Sequence, residues 1–278
     1  MITALPRIAI AVPDFSATLS LFRDGLGFAV VDISEASASD LGAKIAVCVP
    51  ENGSNIEIMS PHDPQKALSQ SLSRFLDRRG PGLFALMLES PDPNREAESL
   101  SRLGLKVLPL MEGAGGRDIH PSSTHGVLIR IYPDNSFERK LEKTDLDIGV
   151  SGITQVGIAV RDLDKAAEIY SGGLQMQLSK PGHRGDLGSN CVVLKPLKGA
   201  AVELTSIDGS KQTQEARWPE SPSQQEEGMK RLTLKTFDLD FCYRSLVARG
   251  VDARADNNKI HVDSALLGSA KLEIVAVC

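Results

Sequence analysis

The chain repeats itself, and that repeat constrains its fold more than any other feature. Residues 7–30 read RIAIAVPDFSATLSLFRDGLGFAV, and residues 155–178 read QVGIAVRDLDKAAEIYSGGLQMQL. Each is an apolar strand ending in IAV, then an Asp, a helical pattern and a Gly-Leu pair. A second pair opens with LFALMLESPDPNREAESLSRLGLKV at residue 83 and KRLTLKTFDLDFCYRSLVARGV at residue 230. Both of its helices end at a glycine, Gly104 and Gly250. Two long halves therefore match, and each contains two shorter units.

Every unit carries the same local signals. A short alternating strand comes first. Asp14, Asp92, Asp162 and Asp238 follow at the position of a helix N-cap, where a short carboxylate accepts from the orphan N–H groups of the first turn. Stripes such as Leu19, Phe22 and Leu26, or Ala166, Ile169 and Tyr170, give each helix an apolar face that belongs to a core. A glycine closes the helix. Further strands follow, such as AKIAVCVP with NIEIMSP and CVVLKP with AAVELTSI. The pattern predicts an α+β chain of four βαβββ modules. The connector PHDPQKALSQSLSRFLDRRGPG contains a helical pattern, DGSKQTQEARWPESPSQQEEG reads as a polar loop or lid, and PDNSFERKLEKTDLDIG reads as a charged linker. The expected division is 1–135, 136–150 as linker, and 151–278.

Composition narrows the classes. With 278 residues, 41% hydrophobic and 24% charged, the chain can bury a core without staples. No apolar run approaches the roughly 18 residues of a membrane helix, and the opening MITALPRIAIAVPDF lacks the pattern of a signal peptide. A net charge of −5 with Lys and Arg dispersed argues against nucleic-acid binding. Cys48, Cys191, Cys242 and Cys278 form no CxxC pair and read as reduced thiols, which points to the cytoplasm. The expected partner is a small molecule, without nucleic acid or membrane, for a monomer or homodimer.

These repeated openings resemble the vicinal oxygen chelate superfamily of glyoxalases, bleomycin-resistance proteins, methylmalonyl-CoA epimerases and extradiol dioxygenases. The first half resembles the epimerases most, through FLDRRGPG and through GAGGRDIHPSSTHGVLIRI, from Gly113 to Ile131. The second half fits more generally, through TQVGIAVRDLDKA and KLEI. The resemblance implies two paired-module glyoxalase-like domains with cupped, mixed or antiparallel sheets. It also implies a divalent metal held at four inward positions by His, Gln or Glu. Such a metal polarises substrate oxygens, and a Glu moves the proton.

Carried across, those positions fall in the first half on Arg7, Glu57, Ala85 and Arg130. Only Glu57 can ligate, since a guanidinium has no lone pair and Ala85 has no donor. The family's second acid falls at Ile45. No cofactor is expected there. Arg7 and Arg130 flanking Glu57 could form an anion-binding cup, or an internal salt-bridge cluster closing a vestigial one. In the second half the positions are Gln155, Glu203, Arg231 and Glu273. Gln155, Glu203 and Glu273 could hold a hard divalent ion, but Arg231 stands where a His should be and competes with a cation. Arg231 then replaces the metal's charge, with Glu273 or Glu203 as base; alternatively the group is a neutralised network. The Fe(II) triad of an extradiol dioxygenase is broken.

Of the histidines, His261 in KIHVDS is the one expected near the second cup. His62 and His183 read as loop residues, and His120 as ordering the HPSST turn. Cys191 falls where unit three would carry the epimerase-like acid. Two functions remain open. One is an isomerase, epimerase or lyase that abstracts a proton from a small oxo-acid or thioester and stabilises the enolate. The other is a metal-free binding protein of the bleomycin-resistance type, which sequesters its ligand.

Overall fold

The computed structural model describes residues 1–111, 113, 115–137, 148–179, 191–207, 226–256, 258–263 and 265–277. His183, Cys278, most of the expected linker and most of the polar connector after Ile207 lie outside them.

The first unit runs β1 (Ala4–Ala11), α1 (Phe15–Ser20), β2 (Ala29–Asp32), α2 (Ser34–Leu41), β3 (Ala43–Val49), β4 (Asn52–Gly53) and β5 (Asn55–Pro61). Helix α3 (Ala67–Arg79) connects it to the second, which runs β6 (Gly82–Ser90), α4 (Pro93–Arg102), β7 (Arg117–Ile119) and β8 (Leu128–Pro133). The third runs β9 (Val150–Val160), α5 (Leu163–Glu168), β10 (Gln177–Leu178), β11 (Cys191–Lys195), β12 (Lys198–Gly199) and β13 (Ala201–Ser206). The fourth runs β14 (Gly228–Thr236), α6 (Leu239–Ala248), β15 (Ala253–Asp256), β16 (Lys259–Val262) and β17 (Lys271–Ala276).

All four capping aspartates act as the sequence predicts. Their side chains accept from the N–H groups of Ala17, Arg95, Lys165 and Phe241 at 2.9–3.0 Å. Helices α1 and α5 each pass into one π turn, over Leu21–Gly25 and Ile169–Gly173. The second unit departs from the regular pattern: its second strand shrinks to a single bridge between Val107 and Ile119. Helix α2 is an addition that the pattern did not announce.

Two mixed sheets result, in the orders β2-β3-β5-β1-β6-β8-β7 and β10-β11-β13-β9-β14-β17-β16-β15. At the centre of each, the opening strands of its two units run antiparallel, β1 with β6 and β9 with β14. Each opening strand is flanked by the last strand of its own unit, in parallel. One apolar core joins both halves. Ile8, Ile58 and Leu86 from the first sheet and Val156, Ile158 and Leu232 from the second share it with Phe22, Leu100, Tyr170 and Leu246 from the helical segments. The opposite face of each sheet is the cup.

The halves are stitched by a pseudo-symmetric pair of strand contacts. Short β4 pairs with β9, and short β12 pairs with β1. The backbones approach so closely that a Cβ on Gly53 would lie 1.8 Å from the Ile153 carbonyl oxygen, and one on Gly199 2.2 Å from that of Leu5. Both glycines also have positive φ, +82° and +96°, so only glycine fits either place. The hydroxyl of Ser54 donates to the Leu5 carbonyl and accepts from the Ala200 N–H at 2.9 Å.

Candidate active site on the second sheet

Strand register sets the site. In the second sheet Gln155 pairs with Thr233 and Thr233 with Glu273, while Gly157 pairs with both Glu203 and Arg231. Paired residues and residues two apart share a face. The four sequence-derived positions therefore meet on one patch of the cup. The first sheet repeats the lattice: Arg7 pairs with Met87 and Met87 with Arg130, while Ala9 pairs with both Glu57 and Ala85. Equivalent positions are thus Arg7 and Gln155, Glu57 and Glu203, Ala85 and Arg231, Arg130 and Glu273.

The two patches are built differently. In the first, Arg7 Nη1 lies 3.1 Å from Glu57 Oε2, and both residues are buried. The Arg7 guanidinium sits 4.8 Å from the Tyr132 ring centre and 5.6 Å from that of Phe137. These are cation–π distances. The sequence leaves Arg7, Glu57 and Arg130 as either an anion-binding cup or a salt-bridge cluster; Arg7 pairs with Glu57, and Arg130 acts on Glu57 through its charge while its hydrogen bonds go elsewhere. It makes a two-pronged pair with Asp118, Nε and Nη2 each at 2.5 Å, because Asp118 is its cross-strand partner on β7. Burial pushes the Glu57 carboxyl above its ordinary value, against the pull of Arg7 and Arg130. Burial opposes the charge of Arg130, but its hydrogen bonds to Asp118 outweigh that and raise its pKa.

Nor is the first cup open. The amphipathic connector helix α3 lays Leu68 and Leu72 on Ala9, Ala11, Ile45, Met59, Phe84, Ala85 and Met87. Phe75 meets Phe84 edge to face, with centroids 5.3 Å apart. Ile45, at the family's acid position, is one of the apolar residues of this plug. An anion-binding cavity there is replaced by a second small core.

In the second sheet Glu203, only 2% exposed, accepts hydrogen bonds from Gln155 Nε2 and Arg231 Nη2, and from the Thr205 hydroxyl at 3.3 Å. Arg231 also reaches toward Glu273, Nε to Oε2 at 4.0 Å. Glu273 faces two further basic groups on β16, Lys259 Nζ at 3.9 Å and His261 Nδ1 at 3.6 Å. These three separations exceed hydrogen-bond length, so Glu273 is held less tightly than Glu203. Lys271, the lateral partner of Arg231, lies nearby. Burial lowers its pKa, and the charges of Arg231 and Lys259 add to that while Glu273 opposes it.

His261 was anticipated from the sequence. Lys259, Lys271 and Thr205 in this half, and Asp118 and Tyr132 in the first, were not. Strand alternation could have supplied them, since each falls on the cup face beside a named position. Cys191 faces the cup beside Thr205, its register partner. His120 does order its turn, its Nδ1 accepting from the Ser122 N–H at 3.0 Å.

The second patch does not fit a divalent metal held by Gln155, Glu203 and Glu273. The Arg231 guanidinium bonds directly to Glu203 and reaches toward Glu273, so a fixed positive charge takes the place a cation would need. Among the described residues no group of three or more His, Cys, Asp or Glu converges elsewhere either. No described helix is long and apolar enough to cross a membrane.

Comparison with known proteins agrees with this architecture. Residues 7–120 match the Glyoxalase/Bleomycin resistance protein/Dioxygenase superfamily. A variant of 4-hydroxymandelate synthase from Streptomyces coelicolor superposes with a TM-score of 0.70 at 14% identity, over 99% of this chain and 93% of that one. A xylose isomerase-like TIM barrel/4-hydroxyphenylpyruvate dioxygenase fusion protein gives 0.66 at 13% identity, over 99% of this chain and 49% of that one. Methylmalonyl-CoA epimerase from Mycobacterium tuberculosis is 28% identical over 48% of this chain and 88% of its own, with a TM-score of 0.39. No curated protein matches the chain significantly. Members of the superfamily commonly bind a divalent metal and act on small molecules, and the first two likenesses establish the fold alone. Residues 7–120 are similar to the glyoxalase/bleomycin resistance protein/dioxygenase superfamily, and residues 150–276 repeat the same sheet.

Proposed function

We propose that the second sheet carries a metal-free active site that abstracts a proton from a small oxo-acid or thioester and stabilises the resulting enolate. One observation carries the reading: the two carboxylates of the patch are held unequally. Glu203 is tied down by Gln155, Thr205 and Arg231 and serves to orient the guanidinium. Glu273 stands 3.6–4.0 Å from its basic neighbours and is free to approach a substrate hydrogen. Arg231 then faces the developing oxyanion with donors that need no reorganisation, and Glu273 is the base.

Incubating the protein with a panel of small 2-oxo acids and thioesters in D₂O, and following exchange of the carbon-bound α-proton by NMR, tests this. Exchange should occur and should fall by about a hundredfold or more in Glu273→Gln and by a similar factor in Arg231→Ala. Binding that depends on Arg231 with no exchange of any substrate would instead select sequestration, the mode of a bleomycin-resistance protein. Neither binding nor exchange would sink both readings.

A further inference from the structure

At the middle of the second patch stands a residue that the four sequence-derived positions pass over. Thr233 pairs with Gln155 on one side and with Glu273 on the other, and Arg231 lies two residues before it on β14. Leu232 and Leu234 point into the core between the sheets, so Thr233 points into the cup. It is 6% exposed. Among the described residues its hydroxyl has no hydrogen-bond partner; the bond from the Thr154 hydroxyl, at 3.3 Å, goes to the Thr233 carbonyl instead. Buried hydroxyls are ordinarily hydrogen-bonded, because leaving water without a new partner costs free energy. One that faces a cup uncommitted is therefore placed for what the cup holds. The equivalent residue of the first sheet is Met87, 1% exposed and part of the apolar plug under α3. Where the cup is a core the position is apolar, and where the cup carries two carboxylates it bears a hydroxyl.

From this placement we infer that Thr233 is a catalytic residue whose hydroxyl donates a hydrogen bond to the enolate oxygen as it forms. The inference rests on the reading of the second sheet as a proton-abstracting site and adds a residue to it. Gln155 and Arg231 are bonded to Glu203, and Glu273 is the base. The threonine side chain ends one bond beyond Cβ, so it forms the floor of the patch between longer chains. Adjacent strands lie about 4.8 Å apart. A substrate whose α-hydrogen lies over Glu273 thus carries its carbonyl oxygen within reach of the neighbouring strand, which bears Thr233. Glu273 takes the proton, the C–H electron pair becomes the C=C bond, and the carbonyl π pair moves to oxygen. The hydroxyl keeps its own proton, and its hydrogen bond strengthens as that charge grows, so it favours the transition state over the ground state. Return of the proton from Glu273 to carbon reverses the electron flow.

The α-proton exchange assay in D₂O, run with the 2-oxo acid or thioester that the wild-type protein exchanges fastest, tests this through Thr233→Val and Thr233→Ser. Valine keeps the shape and removes the donor, whereas serine keeps the donor. Thr233→Val should lower kcat by about a hundredfold with KM changed by less than about twofold, and Thr233→Ser should retain most of the activity. An unchanged thermal midpoint shows that the valine variant is folded, and Thr233→Ala takes its place in the comparison if it is not. Wild-type kcat in the variant without the hydroxyl would overturn the role of Thr233 while leaving Glu273 and Arg231 in theirs. So would a loss that Thr233→Ser fails to restore, since that loss follows from packing and not from the donor. Absence of exchange in the wild-type protein would overturn this inference together with the reading it rests on.

Discussion

Arg231 lies against the backbone of Gly157, so closely that a Cβ added there would stand 3.2 Å from Arg231 Cβ and 3.4 Å from its Nε. The equivalent pair in the first sheet is Ala9 and Ala85, small on both sides. The second sheet thus gives up one methyl group to seat a guanidinium on its cup. Gly157→Ala should displace Arg231 by a few tenths of an ångström. We expect a stability loss of about 1 kcal/mol but a several-fold loss of Arg231-dependent anion affinity, read by calorimetry beside a thermal melt. Unchanged affinity would mean that the placement of Arg231 is not what the glycine protects.

The buried pair of Arg130 and Asp118 makes a sharp test of the first half. Asp118→Asn leaves a guanidinium that is 4% exposed without its counter-charge, and should cost about 3–5 kcal/mol in urea unfolding. Replacing both, as Arg130→Met with Asp118→Leu, should recover most of that loss. A small effect of Asp118→Asn alone would show that the pair is more hydrated than its burial implies.

Helix α3 is predicted to be structural. Leu72 is fully buried where α3 covers the first cup. Leu72→Ala should cost about 2–5 kcal/mol and should not create anion binding in the first half. Tight Arg7-dependent binding in that variant would reveal a masked site rather than a second core.

A contact between the halves should respond to acid. Glu227 Oε1 accepts from the Arg161 N–H and meets His125 Nδ1, each at 2.8 Å. Burial opposes its charge, but these two partners outweigh it and lower its pKa below the usual 4.5. Because the folded value is depressed, the stabilisation is complete above pH 4.5 and is lost as pH falls through the lower folded value. Glu227→Gln should flatten stability against pH in that acidic window and change little at neutral pH apart from a constant offset.

Thiol reactivity should sort the cysteines. Burial pushes Cys48 up to about 12 and Cys242 up to about 11, whereas Cys191 is half-buried on the cup face. In a Cys278→Ser background, a disulfide reagent at pH 8 should modify one thiol quickly and the other two only on unfolding. Loss of the fast phase in Cys191→Ser assigns it; its persistence would place another thiol at the surface.

Much of this protein could be read from its residues in order. The four capping aspartates, the alternating strands and the duplicated openings are local signals, each decided within a few residues, so they fix the modules and their repetition. Gln155, Glu203, Arg231 and Glu273 were named through the resemblance to the superfamily, carried across position by position, and the strand register puts them on one face. Partner choice was not legible, because it depends on which strand lies beside which and on where a side chain finds room. Arg130 turned to Asp118 because β7 lies beside β8; Lys259 and His261 came to Glu273 because β16 lies beside β17. Helix α3 was visible as an amphipathic pattern, but only the folded chain shows that its apolar face fills the first cup, since hydrophobic burial has no direction until the competing surfaces are assembled. Sequence settled the frame and the residue types at each site; the tertiary structure decided that one cup is a core and that, in the other, Arg231 lies between the two carboxylates.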